Sequence, residues 1–293
     1  MNILLQEMIG HADPSQVPGL SRFFKTGPGQ YGEGDQFLGI KVPVTREVVR
    51  SCWKSVTFDD LEECISSPYH EVRLAALLTL VEIFSHARKA SSLLLDSIPS
   101  SRAQTRDLHS CHSERNSCHS ERNSCHSERS EESIKQYCID FYLSHTAFIN
   151  NWDLVDLSCY PLLGVWLLDK DRSLLYDLAR HGKSLWEQRI GIVSTMTFVR
   201  HGQLSDTFAI ADILLRHPHD LIHKAVGWLL REAGKKDKSA LVTYLQGPSP
   251  LIAGSEPRSP RYTVMPRTML RYAIEKFPES ERHAYLSGHV SLA

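Results

Sequence analysis

Residues 150–156, Asn150-Asn151-Trp152-Asp153-Leu154-Val155-Asp156, place a polar and aromatic cluster inside an otherwise apolar helical run. On a helix Trp152 and Asp156 stand four residues apart and share a face, so an indole and a carboxylate point into the same space. An indole and a carboxylate brought together in this way call for either a functional or a structural reason. The competing structural reading is a helix start. Asn150 or Asn151 caps it, Asp153 and Asp156 complement the dipole, and Trp152 packs as core. Further along, Arg189 lies near the start of another apolar helix, and Lys224, Trp228 and Arg231 share a face by three- and four-residue steps. Taken singly, Trp228 reads more readily as core than as ligand, and Arg189 as half of an ordinary ion pair with an acid on its own helix.

The elements that must position these residues are helices. Residues 2–25 read as one or two short helices interrupted at Pro14 and Pro18. The stretch Lys25 to Asp35 is too glycine-rich for a helix. Its Gly27, Gly29 and Gly32 satisfy G-x-G-x-x-G, but no strand precedes them and no helix follows at once, so a structured surface loop is expected instead of a dinucleotide site. Pro43 to Lys54 begins the next helix, and Thr57-x-x-Asp60 marks another start. Glu71 to Arg88 is apolar nearly all round and must be covered on two sides.

Past Ile134 the pattern continues through the central cluster to Leu168, with a kink or break expected at Pro161 and Gly164. Then come Arg172 to Ala179, a helix opened by the capping box Ser184-Leu185-Trp186-Glu187, and Gln203 to His217. Leu221 to Ala233 follows, with Asp220 expected as its cap. After a Pro/Gly/Ser-rich loop at 247–263, two short helices beginning at Pro266 and Pro278 close the chain.

Residues 109–133 break this pattern. His112-Ser113-Glu114-Arg115-Asn116-Ser117-Cys118 recurs as His119 to Cys125 and begins again at His126. The repeat has no hydrophobic face, and residues 104–133 are expected to be a disordered, low-complexity insertion in a single domain spanning 1–293. Cys111-His112, Cys118-His119 and Cys125-His126 carry zinc-ligating residue types, yet pairs at intervals of seven match no finger spacing.

Composition narrows the class. Of 293 residues, 42% are hydrophobic and 23% charged, the balance of a globular chain. No apolar run of spanning length and no signal peptide is found, so a cytoplasmic address is expected, with no membrane partner. Seven cysteines, three of them in the repeat, are expected to be reduced. The net charge of −1 hides an asymmetry: residues 181–293 hold 15 Lys/Arg against 10 Asp/Glu. That basic part permits a polyanionic partner.

Helix pairs at roughly 35–45-residue intervals, without strands, make an all-α, HEAT-like helical-repeat solenoid with a concave binding face the expected architecture. Five stretches then carry a resemblance: Arg22-Phe23-Phe24-Lys25-Thr26-Gly27, Asn151-Trp152-Asp153-Leu154-Val155-Asp156, Trp186-x-x-Arg189, Ile222-His223-Lys224-Ala225-Val226-Gly227-Trp228-x-Leu230-Arg231-Glu232 and Met265-Pro266-Arg267-Thr268-Met269-Leu270. In order and over almost the whole chain outside 104–133, they resemble the AlkD-like DNA alkylation repair family.

The resemblance implies a concave surface gripping duplex DNA, and a DNA glycosylase activity that releases N3- and N7-alkylated purines without flipping the base. It implies a site of Trp152, Asp156 and Trp228 for catalysis, with Arg189 clamping a phosphate. Lys224, Arg231, Lys235, Lys236, Lys238 and, in the glycine loop, Lys25 are candidate phosphate contacts. No metal or organic cofactor is indicated for such a hydrolysis, and a monomer is expected. Two other classes stay open: a non-catalytic binder of damaged or branched DNA, and a protein-binding scaffold whose tryptophans are core.

Overall fold

The structure, a computed structural model, describes residues 2–89, 119–250 and 259–290. It is all-α, with no strand among the described residues and only isolated bridges at Gln36–Tyr69 and Pro248–Pro260. The chain forms two compact units, Met1–Leu154 and Val155–Ala293.

In the first unit α1 (Ile3–Gly10), α2 (Val17–Phe23), α3 (Val42–Cys52), α4 (Phe58–Ile65) and α5 (His70–Ser85) are followed by α6 (His119–Ser144). The α4 start is a full capping box: Thr57 accepts from the Asp60 backbone N–H at 3.2 Å, and Asp60 accepts from that of Thr57 at 2.9 Å. The all-round apolar pattern of α5 has its cause in the packing, because α1, α3, α4 and α6 all contact it. Its first turn is different, for His70, Glu71 and Arg73 are also buried. Glu71 is satisfied by the backbone N–H groups of Leu38, Gly39 and Ile40, which ties the incoming loop to the helix.

Residues 119–133, expected to be unstructured, are the first part of α6. Once the apolar stretch from Ile134 nucleates a helix, extending it through Glu, Arg and Ser costs little. The rest of the expected insertion, 104–118, with Cys111, His112 and Cys118, lies outside the described residues.

α7 (Trp152–Cys159) carries the central cluster, and the division between the units falls within it. In the second unit it widens into a π-helical turn at Tyr160–Gly164 where a kink or break was expected. Pro161 has no N–H to give and would clash with a carbonyl of a regular turn, and the wider turn relieves both. Thr197 Oγ1 donates to the Tyr160 carbonyl at 2.7 Å. A Cβ on Gly164 would meet the Ser194 carbonyl at 2.5 Å.

α8 (Ser173–His181), α9 (Leu185–Val193), α10 (Met196–Arg200), α11 (Ser205–Leu214), α12 (Asp220–Lys236), α13 (Lys238–Gln246), α14 (Arg261–Val264), α15 (Arg267–Ala273) and α16 (Glu279–Ser287) follow. The hub is α12, which packs on α9, α10, α11, α13 and α15. Gly227 permits its approach to α15, since a Cβ there would lie 2.5 Å from Tyr272 Cβ and 2.6 Å from the Met269 carbonyl. The α12 cap is His219, whose Nδ1 accepts the Leu221 N–H at 3.1 Å, and not Asp220. Asp220 sits inside the first turn and pairs with Lys224.

Cys52, Cys64, Cys138 and Cys159 are free thiols, all buried. Burial pushes the Cys52 thiol up to about 11 and the Cys64 thiol up to about 12, and raises Cys138 and Cys159 further. No helix among the described residues is long and apolar enough to cross a membrane.

Candidate active site

Asp156 and Arg189 meet in the second unit. Ser184 starts α9 by accepting the Glu187 N–H at 3.2 Å, while Glu187 returns its carboxylate to the Lys183 N–H. One turn further on, Arg189 is buried, its side chain 6% exposed. Its Nε and Nη2 donate to Asp156 Oδ1 and Oδ2 at 2.8 and 2.7 Å, and its Nη1 donates to the Leu221 carbonyl at 2.5 Å. This is the bidentate fork that a planar guanidinium forms with a carboxylate. Arg189, expected to clamp a phosphate, is here held by Asp156 and the Leu221 carbonyl through one N–H on each of its three nitrogens. Asp156 itself is 14% exposed, shielded but reachable.

Trp228 is half-buried and lines an open hollow of about 450 Å³ with Met196, Val199, Arg200, Glu232, Lys235 and Lys236. Residues 228, 232 and 235 fall on one face of α12, and α10 supplies the other wall. Three cations against one carboxylate give this hollow a positive balance. Arg200, which no sequence pattern singled out, is exposed and lies 4.7 Å over the Tyr160 ring.

Most of the expected phosphate contacts have acidic partners. Lys224 pairs with Asp220 at 2.8 Å, Arg231 with Glu232 and Glu275, Lys235 with Glu232 at 2.8 Å, and Lys238 with Glu281 at 2.8 Å. Lys236 lines the hollow. Lys25 is exposed on the glycine loop at φ +53°, a left-handed conformation unusual for a residue with a side chain. It stands just past α2, where its N–H donates to the Arg22 carbonyl and that of Thr26 to the Ser21 carbonyl. This is a Schellman motif with lysine where glycine is usual.

Trp152 belongs to the first unit and is half-buried. Its ring stacks on Phe24 at 5.7 Å and meets Phe23 edge-on at 5.8 Å; Phe23 is 60% exposed. Beneath this aromatic group lies a buried polar network. His70 Nδ1 bonds Asp35 Oδ2 at 3.1 Å, and Nε2 bonds Asp153 Oδ2 at 2.9 Å. Arg73 Nη2 donates to Asp35 Oδ1 at 2.6 Å and to Asn150 Oδ1 at 3.1 Å; Asn150 also donates to Asp35. Asn151 Oδ1 accepts the Trp152 N–H at 2.9 Å at the start of α7.

Burial alone would push the His70 imidazole down, but its bonds to Asp153 and Asp35 and their charges raise it to about 9. Burial likewise opposes the charged form of Asp35, yet the His70 bond and the Arg73 charge hold it below the usual carboxylate range. Nothing in the sequence joins these residues, because Asp35, the His70–Arg73 turn and Asp153 come from three separate stretches.

The glycine loop is closed on itself, Gly32 N–H donating to the Lys25 carbonyl at 3.1 Å, and no helix opens from it in the manner of a dinucleotide site. Among the described residues no cluster of His, Cys, Asp and Glu is arranged to hold a metal.

A family model described as DNA alkylation repair enzyme matches residues 4–108 and 121–277, passing over a stretch that contains the first copy of the tandem repeat. Among solved structures, one described as "Predicted DNA alkylation repair enzyme from Enterococcus faecalis" aligns over 92% of this chain and 97% of its own. The TM-score is 0.55 at 12% identity, a likeness that speaks for the fold alone. No curated protein matches the chain.

Proposed function

The chain belongs to the DNA alkylation repair enzyme family, and from that premise we propose that it is a DNA glycosylase. It hydrolyses the N-glycosidic bond of N3- and N7-alkylated purines in duplex DNA without extruding the base. The observation that carries this reading is the Asp156 carboxylate, fixed in orientation by the Arg189 fork yet 14% exposed.

A purine alkylated at N3 or N7 is cationic, so its bond to the sugar is already weakened and the base departs neutral without a general acid. Positive charge then develops on the deoxyribose as an oxocarbenium-like species. A preorganised carboxylate stabilises that charge more than it stabilises the ground state, and it orients the attacking water. Arg189 keeps Asp156 from swinging, as an outer residue supports a catalytic one. Trp152 and Trp228 offer π faces to the sugar and the cation, each contact contributing about 0.5–2 kcal/mol. Lys25, Arg200 and Lys236 supply phosphate contacts, which position the duplex without reading its sequence.

The test is release of 7-methylguanine from methylated duplex DNA by the full chain. Wild type should release it, and Asp156→Asn should lose release while keeping duplex affinity. Salt-sensitive duplex binding without any release would make the protein a non-catalytic DNA binder. No salt-dependent binding at all would make it a scaffold.

A further inference from the structure

His70 lies at the start of α5, far in sequence from every residue assigned to the reaction, and is 1% exposed. Its ring packs against Phe24, at 4.6 Å and 37°, and Phe37, at 5.0 Å and 26°, two rings that also stack on each other at 5.3 Å. Its nitrogens point opposite ways, one to Asp35 at the end of the glycine loop and one to Asp153 in the first turn of α7. Asp153 is the chain neighbour of Trp152, and the Trp152 ring stacks on the same Phe24 that packs against His70. The imidazole is thus joined to Trp152 by two routes, one through the backbone and one through the rings.

The charges around it leave little freedom. Asp35 faces His70 from the loop and also meets Arg73, Asn150 and Asn151. Asp153 faces it from α7, and its second oxygen, Oδ1, is buried with no hydrogen-bond partner. Arg73 is the other cation of the network, and Glu71 on the same turn is occupied by the amides of residues 38–40. A doubly bonded imidazolium balances two carboxylates together with Arg73. A neutral imidazole donates through one nitrogen only, so it would release one carboxylate and leave a buried charge without a counterpart.

We propose that His70, as an imidazolium clamped between Asp35 and Asp153, is a positioning residue that holds Trp152 in place for base excision. The excision part rests on the glycosylase reading. The clamp itself does not, and the two are measured separately.

The full-length protein is titrated from about pH 6 to 10 while Trp152 emission, taken as the difference between wild type and Trp152→Phe, is recorded. Single-turnover release of 7-methylguanine is followed over the same range. The Trp152 signal and the rate constant should change together near pH 9, the range to which the two carboxylates raise His70. In Asp35→Asn, which removes one carboxylate at nearly constant size, both should move to lower pH by roughly half a unit or more. In His70→Gln the pH-dependent step should vanish and the rate constant at neutral pH should fall about tenfold. A wild-type Trp152 signal that stays flat through pH 9 overturns the clamp, and this measurement does not depend on either clamp variant folding. A step that appears, shifts and vanishes as stated in a protein that releases no base supports the clamp and overturns the glycosylase reading.

Discussion

Arg189 grips Asp156 with two parallel bonds of 2.8 and 2.7 Å, and its third arm reaches the first turn of α12. The guanidinium therefore fixes the orientation of the carboxylate. Arg189→Lys replaces a planar fork with a point charge, and excision should fall about 10- to 100-fold with duplex affinity little changed. Arg189→Ala should cost about 3–5 kcal/mol of stability by stranding Asp156, read from urea unfolding. A Lys variant that loses affinity and keeps its rate would return Arg189 to phosphate binding.

The His70 network also fixes how stability depends on pH. A group raised from 6.5 to about 9 on folding contributes fully below about pH 6.5, and that contribution disappears as pH rises through 9. The loss is on the order of 3 kcal/mol. Asp35, held low, contributes above its ordinary value near 3.8 and ceases to do so as the solution is acidified. Urea midpoints should therefore be highest between about pH 4 and 6.5 and decline toward pH 9. A midpoint that rises across that interval would contradict the charge assignment.

Lys25 stands at φ +53° where glycine would be relaxed. Lys25→Gly should stabilise the protein by about 0.5–1 kcal/mol, relief of the left-handed strain outweighing the added freedom of the unfolded chain. If this lysine contacts a phosphate, the same variant should bind duplex DNA more weakly, with a salt slope smaller by about 1. Gained stability with unchanged binding would show that the strain serves no contact.

Glu232 holds Lys235 at 2.8 Å and Arg231 at 3.4 Å beside the Trp228 hollow. Replacing it with glutamine releases Lys235, while Arg231 keeps its pair with Glu275. Duplex affinity at low salt should rise several-fold, and the salt slope should steepen by about 1. Unaltered affinity would place the duplex away from this hollow.

Helix starts were legible wherever a side chain caps a backbone: Thr57 and Ser184 open α4 and α9 as their spacing predicts. The encirclement of α5 was legible in its lack of a polar face. The partners of buried charges were not. Arg189 carries no mark of whether it turns toward Asp156 or toward solvent, because the deciding fact is burial after folding. Asp35, His70 and Asp153 form one network, yet each looks like an ordinary loop or first-turn residue where it stands in the chain. His219 displaced Asp220 as the α12 cap because Asp220 is drawn to Lys224 one turn on.

The four buried thiols bear on the setting in which such a family works. Electrophiles that methylate purines also attack sulfur, and they attack it as the thiolate. A thiol raised to about 11 or 12 is ionised at neutral pH about a hundredfold to a thousandfold less than an ordinary cysteine, and close packing bars approach as well. Cys52, Cys64, Cys138 and Cys159 are therefore poor targets for the reagents that create the damage, and at these positions the folded protein resists being consumed by the poison whose traces its family clears.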